Sequence, residues 1–208
     1  MGFYPPGSVR KTAVVRWNRS PIGRPRKRTI IVGHWGGEEQ GLNGSAAFAE
    51  DHPEIVEGIQ IAMNQDNGTG RITEIGMQGF LGAGSFFARW LSRVPQELAR
   101  HVELDVPGMP DSGRSDHASF VCHGAPSFRL GSHEWDYRDY TWHTNRDTFD
   151  KISIEEVRGN AVLTAMLAYL ASEDPDRVPR DRRVMPISEQ TGEPMEWPEC
   201  REPMRSAW

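Results

Sequence analysis

Residues 28–45 read RTIIVGHWGGEEQGLNGS. The run TIIVGHW is β-branched and bounded by glycine, which predicts a buried strand. Two adjacent carboxylates, Glu38 and Glu39, follow it in a glycine-rich loop. Like charges repel there, and burying either one is costly. A strand end is a loop, and solvated glutamates in loops are ordinary. The sharper reading is a site in which one carboxylate holds a cation while its neighbour moves a proton.

Outward from this stretch, strand and helix patterns alternate, which predicts an α/β layered fold. GSAAFAEDH reads as a short helix with Ser45 as its N-cap. IVEGIQIAMNQD reads as a second strand ending at residues 64–66. Gly68, Gly70, Gly76, Gly79, Gly82 and Gly84 mark a loop region. SFFARWLSRVPQELARHV has helical spacing, with Phe87, Leu91, Val94 and Leu98 on one face and a break at Pro95. SDHASFVCHG reads as a helix start capped by Ser115 and ended by Gly124. APSFRL is a short strand. ISIEEVRGNAVLTAMLAYLA is a long helix with Ser153 as N-cap and Glu156 at the capping-box position. Upstream, TAVVRW is a short strand.

The chain has 208 residues, enough for one domain with tails. Mean hydropathy is −0.60, and the apolar residues concentrate in the middle. Residues 1–28 carry eight Lys or Arg and no acid, which leaves 16 of the 24 basic side chains against all 29 acidic ones, a net of −13, on the remainder. This basic arm has no stacking motif, so nucleic acid is not expected as a partner. No run of 18 apolar residues indicates a membrane span. The N-terminus has no apolar segment of the signal-peptide kind. Cys122 and Cys200 permit at most one disulfide and have no metal-ligand spacing; Cys122, in an apolar helical context, is expected as a buried thiol. Three segments follow: a basic irregular arm over 1–26, a body over 27–173, and a tail over 174–208 with six prolines, expected to be extended or disordered. Trp197 and Trp208 are its candidate docking residues.

Ligands of open α/β sheets bind beyond strand ends. The chemistry-bearing residues there are Glu38, Glu39, Asp66 and His143. Two carboxylates and a histidine suit a divalent cation, zinc above all, with one glutamate left over as a base. Singly, each has a plainer reading: Asp66 as a turn residue, His143 as a surface histidine.

GGEEQGLNGS, MNQDNGTG, SDHASF…GAPSF and WHTNRDTFDKI resemble the downstream motifs of the M28 zinc peptidases, over residues 25–171. That family includes aminopeptidases, glutamate-type carboxypeptidases and the related glutaminyl cyclases, many of them exported. The resemblance implies a three-layer sandwich, a mixed central sheet flanked by helices. It implies peptide substrates and two zinc ions in intact relatives. It makes Glu38 the general base, Glu39 and His143 ligands of one zinc, and Asp66 a ligand of the other. Asp116 and His117 would stand behind the ligands or in the substrate pocket, or else cap a helix. Asp147 would orient His143 or cap the last helix. Tyr137, Tyr140 and Trp142 would line the specificity pocket or pack the loop.

The family also carries an upstream His-x-Asp, which supplies one zinc ligand and the carboxylate bridging both ions. Residues 1–33 contain neither His nor Asp. Missing N-terminal strands, and a truncated or frame-shifted arm ahead of Pro25, are therefore expected, with one zinc ion or none. His34, His101, His117, His123 and His133 are the possible replacement ligands. Three functions compete: a zinc exopeptidase, a single-zinc glutaminyl-peptide cyclotransferase, and a catalytically dead domain.

Overall fold

The computed structural model describes residues 13–19 and 25–205. The β-branched run lies in a strand, but not a buried one. It belongs to β2 (Pro25–His34), which pairs antiparallel with β1 (Ala13–Arg19). Ala13 stands opposite His34 and Trp17 opposite Ile30. Among the described residues β2 has no other ladder partner, so it is not a strand of the main sheet. Alternate side chains therefore face water, Val32 at 43% exposure and His34 with it.

The next segment corrects the expected second strand. After helix α1 (Asn43–Asp51) comes a second short helix, α2 (Pro53–Gly58), and only then strand β3 (Ala62–Asn64). Proline at the first helical position gives up no needed donor and presets the backbone for a helix. Ser45 is not a cap. Leu42 occupies that position at φ 62°, and Ser45 lies inside α1, fully buried.

The glycine-marked region conceals strand β4 (Ile72–Gly76). Then follow α3 (Ala83–Leu91), α4 (Gln96–Ala99), split from it at Pro95, and strand β5 (Glu103–Asp105). Helix α5 (Ala118–Val121), strand β6 (Ser127–Ser132), helix α6 (Tyr137–Tyr140) and helix α7 (Ile154–Glu173) complete the order. The sheet runs β3-β6-β4-β5. Its β3–β6 and β4–β5 pairs are parallel and β4–β6 is antiparallel, so it is mixed and open.

Ile75, Phe128 and Leu130 of the strands pack with Phe87, Trp90 and Leu91 of α3 and with Leu163, Leu167 and Leu170 of α7. Ser153 does stand at the N-cap of α7, but its side chain makes no capping bond. Glu156 turns away to accept from Arg71 at 2.5 Å. Asn160, buried in α7, donates to Gly70 O and accepts from Ile72 N, each at 2.8 Å, and so ties the helix to the start of β4.

Residues 174–205 form no helix or strand, yet they lie bound to the body. Leu81 N donates to Asp181 O at 2.9 Å, and Arg183 N to Gly79 O at 2.8 Å. The Trp197 indole donates to Val121 O at 2.9 Å and packs edge-on against Phe80. This places Cys200 beside the end of α5, where it forms a disulfide with Cys122. The expected free thiol at Cys122 is thereby corrected: a docked tail returns the second cysteine across 78 residues. Trp208 lies outside the described residues. No helix among them is long and apolar enough to cross a membrane.

Candidate active site

The loop between β2 and α1 is a tight reversal. Glu38 O accepts from Gly41 N and Leu42 N, both at 2.9 Å; Gly37 O accepts from Asn43 N, and Gly36 O from Gly44 N. Gly37 at φ 71° and Gly41 at φ 103° take backbone shapes that a side chain would strain. The reversal leaves the two glutamates in different settings: Glu38 is half-buried and Glu39 exposed.

From the far end of the chain, His143 reaches the same place. It follows α6 at φ 56°, an unusual backbone for a non-glycine residue. Its Nε2 lies 2.9 Å from Glu39 Oε1. The Trp142 ring stacks on the imidazole with centroids 4.1 Å apart. Asp66 follows β3 and acts electrostatically on Glu38, Asp116, His117 and Tyr137. Partial burial first, then the negative charges of Asp66, Glu39 and Asp116, push the Glu38 carboxyl up to about 7, against the opposing pull of His143. The four residues singled out by sequence thus form one electrostatic cluster.

Behind them lies a buried polar layer. Ser45 donates to Asp116 Oδ1 at 2.5 Å and sits 2.8 Å from Ser119 Oγ. Asp116 is therefore held by a serine and caps no helix; α5 has no side-chain cap. Burial raises its pKa. Asn64 donates to Ser115 Oγ at 2.5 Å, joining the end of β3 to the same loop. His117 is fully buried with no hydrogen bond at either ring nitrogen, and Asp111 Oδ2 lies 3.7 Å from its Nε2. Burial keeps this imidazole neutral, with its pKa below the ordinary histidine value. Ser45 and Asn64 were missed by sequence reasoning; a serine inside a helix carries no signal of a partner 71 residues away.

Tyr137 is half-buried, and burial followed by Asp147, Asp66 and Glu39 raises its hydroxyl pKa. Tyr140 and Trp142 are exposed beside His143. Asp147 faces Tyr137 electrostatically, while the bond made by His143 goes to Glu39. Of the other histidines, His101 lies against Arg71 and Arg100, and His133 packs edge-on against Trp135. Among the described residues, only Cys122, His123 and Cys200 bring three donor atoms mutually within 4.8 Å, and the two sulfurs there are already joined. Glu39 and His143 are close enough to share one cation; Asp66 does not close onto them as a third donor.

An open mixed sheet with helices around it defines a layered α/β protein. The model of peptidase family M28 matches residues 12–170, and the chain belongs to that family. Among solved structures it is similar to a peptidase M28 precursor from Shewanella amazonensis, at 26% identity and TM-score 0.60, over 75% of this chain and 34% of that one. A zinc aminopeptidase from Bacillus subtilis shares the fold at 22% identity and TM-score 0.53, over 74% and 40%. So does a glutaminyl cyclase from an Acidobacteriales bacterium, at 16% identity and TM-score 0.53, over 73% and 55%. The chain spans between a third and just over half of the length of these structures. No curated protein matches it.

Proposed function

We propose that this chain is a zinc-dependent exopeptidase in which Glu38 is the general base and Glu39 and His143 hold the metal. The observation that carries this reading is the 2.9 Å approach of His143 Nε2 to Glu39 Oε1. A carboxylate oxygen and an imidazole nitrogen so placed suit a borderline divalent cation. Among the described residues Glu39 and His143 bring two donors to one place without Asp66 as a third, so water or substrate would complete the coordination of an ion held there. Bound zinc supplies Lewis acidity towards a peptide carbonyl and water.

The chain's own residues do the rest. Glu38, uncoordinated and half-buried, accepts a proton from the attacking water at its carboxylate and returns it to the amine nitrogen as the C–N bond breaks. In the zinc-free protein, burial and the charges of Asp66, Glu39 and Asp116 raise its pKa. Asp116, fixed by Ser45, stands behind it. Tyr137, Tyr140 and Trp142 form the substrate-facing side.

Zinc content by plasma mass spectrometry after equimolar reconstitution tests the reading, together with release of terminal residues from unblocked, N-blocked and C-amidated peptides. The blocked peptides separate aminopeptidase from carboxypeptidase action. One zinc per chain, with hydrolysis lost in Glu38→Gln while zinc is kept, is expected. A chain that binds no zinc and cleaves no peptide would be a non-enzymatic member of the family. The Glu39–His143 pair also fits a second reading, cyclisation of N-terminal glutamine, which a glutaminyl peptide substrate distinguishes.

A further inference from the structure

The turn that ends α5 gathers sulfur and imidazole at one point. Gly124, at φ 72°, closes that turn: its N–H donates to Val121 O at 2.8 Å, and Ala125 N donates to Phe120 O at 3.0 Å. These bonds fix Cys122 and His123 just before the chain reverses. Cys200 arrives from the tail. One donor atom from each of the three residues lies within 4.8 Å of the others. Cys122 is half-buried, while His123 and Cys200 are exposed. Among the described residues, the His123 ring makes no hydrogen bond and no ion pair.

The sulfurs are joined, yet other contacts also hold the tail at this point. Three residues before Cys200, the Trp197 indole donates to Val121 O at 2.9 Å and packs against Phe80. Four residues after it, Met204 N donates to Asn43 Oδ1 at 2.8 Å. Neither contact involves sulfur, so both keep Cys200 within reach of Cys122 in a reduced chain. The two Cα atoms stand 5.1 Å apart. Two thiolates on a tetrahedral zinc, at about 2.3 Å each, lie about 3.8 Å from one another. Parted sulfurs reach that separation by turning about their own side-chain bonds, with the backbone in place. Two soft thiolates and an imidazole are a donor set for zinc.

We propose that Cys122, Cys200 and His123 form a zinc site in the reduced chain, with donors other than Glu39 and His143. Two equivalents of a small thiol cleave the bond, entering at the exposed Cys200 sulfur. The small thiols are oxidised to a disulfide of their own, and two electrons and two protons pass to Cys122 and Cys200. Zinc then displaces both thiol protons and takes an unprotonated nitrogen of His123, with water in the fourth position. The tail is stapled to α5 by a covalent bond under oxidising conditions and by a metal ion under reducing ones.

Cobalt(II) titration of the full chain tests this, because thiolate ligands give cobalt a charge-transfer band in the near ultraviolet that carboxylate and imidazole ligands do not. The chain is reduced with a phosphine, which is removed before cobalt is added under nitrogen. The reduced chain is expected to develop the band while keeping its native circular dichroism, and added zinc is expected to bleach it. The oxidised chain should show no band. His123→Ala should weaken cobalt binding by about tenfold or more, since losing a ligand costs more than losing a group that orients one. Cys122→Ser with Cys200→Ser should remove the band. Three results overturn the proposal: no band in the reduced chain, a band only from a chain that has lost its native circular dichroism, or a cobalt midpoint that is the same in His123→Ala. Cobalt bound without the band reports other ligands, so each of these leaves the exopeptidase reading where it stood.

Discussion

His143 and Glu39, 104 residues apart, meet at 2.9 Å with both side chains largely in water. An exposed pair of this kind contributes only about 0–1 kcal/mol to folding. On the reading proposed above, the two side chains hold a cation between them. Glu39→Gln or His143→Ala should leave the thermal midpoint of the zinc-free protein nearly unchanged. Either should abolish the rise that added zinc gives the wild type. Calorimetry with and without zinc reads both effects; a zinc-induced rise that survives in both variants would remove the pair from the metal site.

Glu38 gives a pH signature. Its folded pKa, near 7, lies above its ordinary value of 4.5, so the fold binds that proton more tightly than the unfolded chain does. The zinc-free protein should lose stability as pH rises from 4.5 through 7. Glu38→Gln removes the titration. The variant should melt higher than wild type at pH 8 and with a smaller advantage at pH 4, as paired thermal melts across that range would show.

Asn160 is the polar residue on which β4 depends. Both ends of its amide are used in a buried setting, by Gly70 O and Ile72 N. Asn160→Ala leaves a buried donor and acceptor unmet, at about 1–3 kcal/mol for such groups. A fall in the urea midpoint without a change in slope is the expected result; an unchanged midpoint would mean that water replaces the amide.

The disulfide closes a loop of 78 residues. Chain entropy places its contribution at about 4 kcal/mol. Reduction by dithiothreitol, or Cys122→Ser with Cys200→Ser, should lower the melting midpoint and shift the emission of Trp197 as its contacts with Phe80 and Val121 loosen. Identical melts in oxidised and reduced protein would show that docking of the tail does not depend on the bond.

Local pattern revealed some of this and concealed the rest for identifiable reasons. The long helix and the break at Pro95 were legible because each rests on periodicity or on one residue's stereochemistry. The four-motif resemblance placed Glu38, Glu39, Asp66 and His143, and the structure gathers them into one electrostatic cluster. Strand β4 was hidden because ITEIG is short, half polar and set among glycines. The helix at residues 53–58 was hidden because its apolar residues run on towards a strand. The disulfide, and the Ser45–Asp116 and Asn64–Ser115 bonds, are tertiary: nothing within a window of ten residues announces a partner that folding brings from far along the chain.

The ring stack of Trp142 on His143 makes this pocket its own optical gauge. An indole 4.1 Å from an imidazole changes its emission when that imidazole gains or loses positive charge. On the reading proposed above, binding at Glu39 and His143 is therefore expected to alter the Trp142 contribution to the emission, with no dye and no substrate.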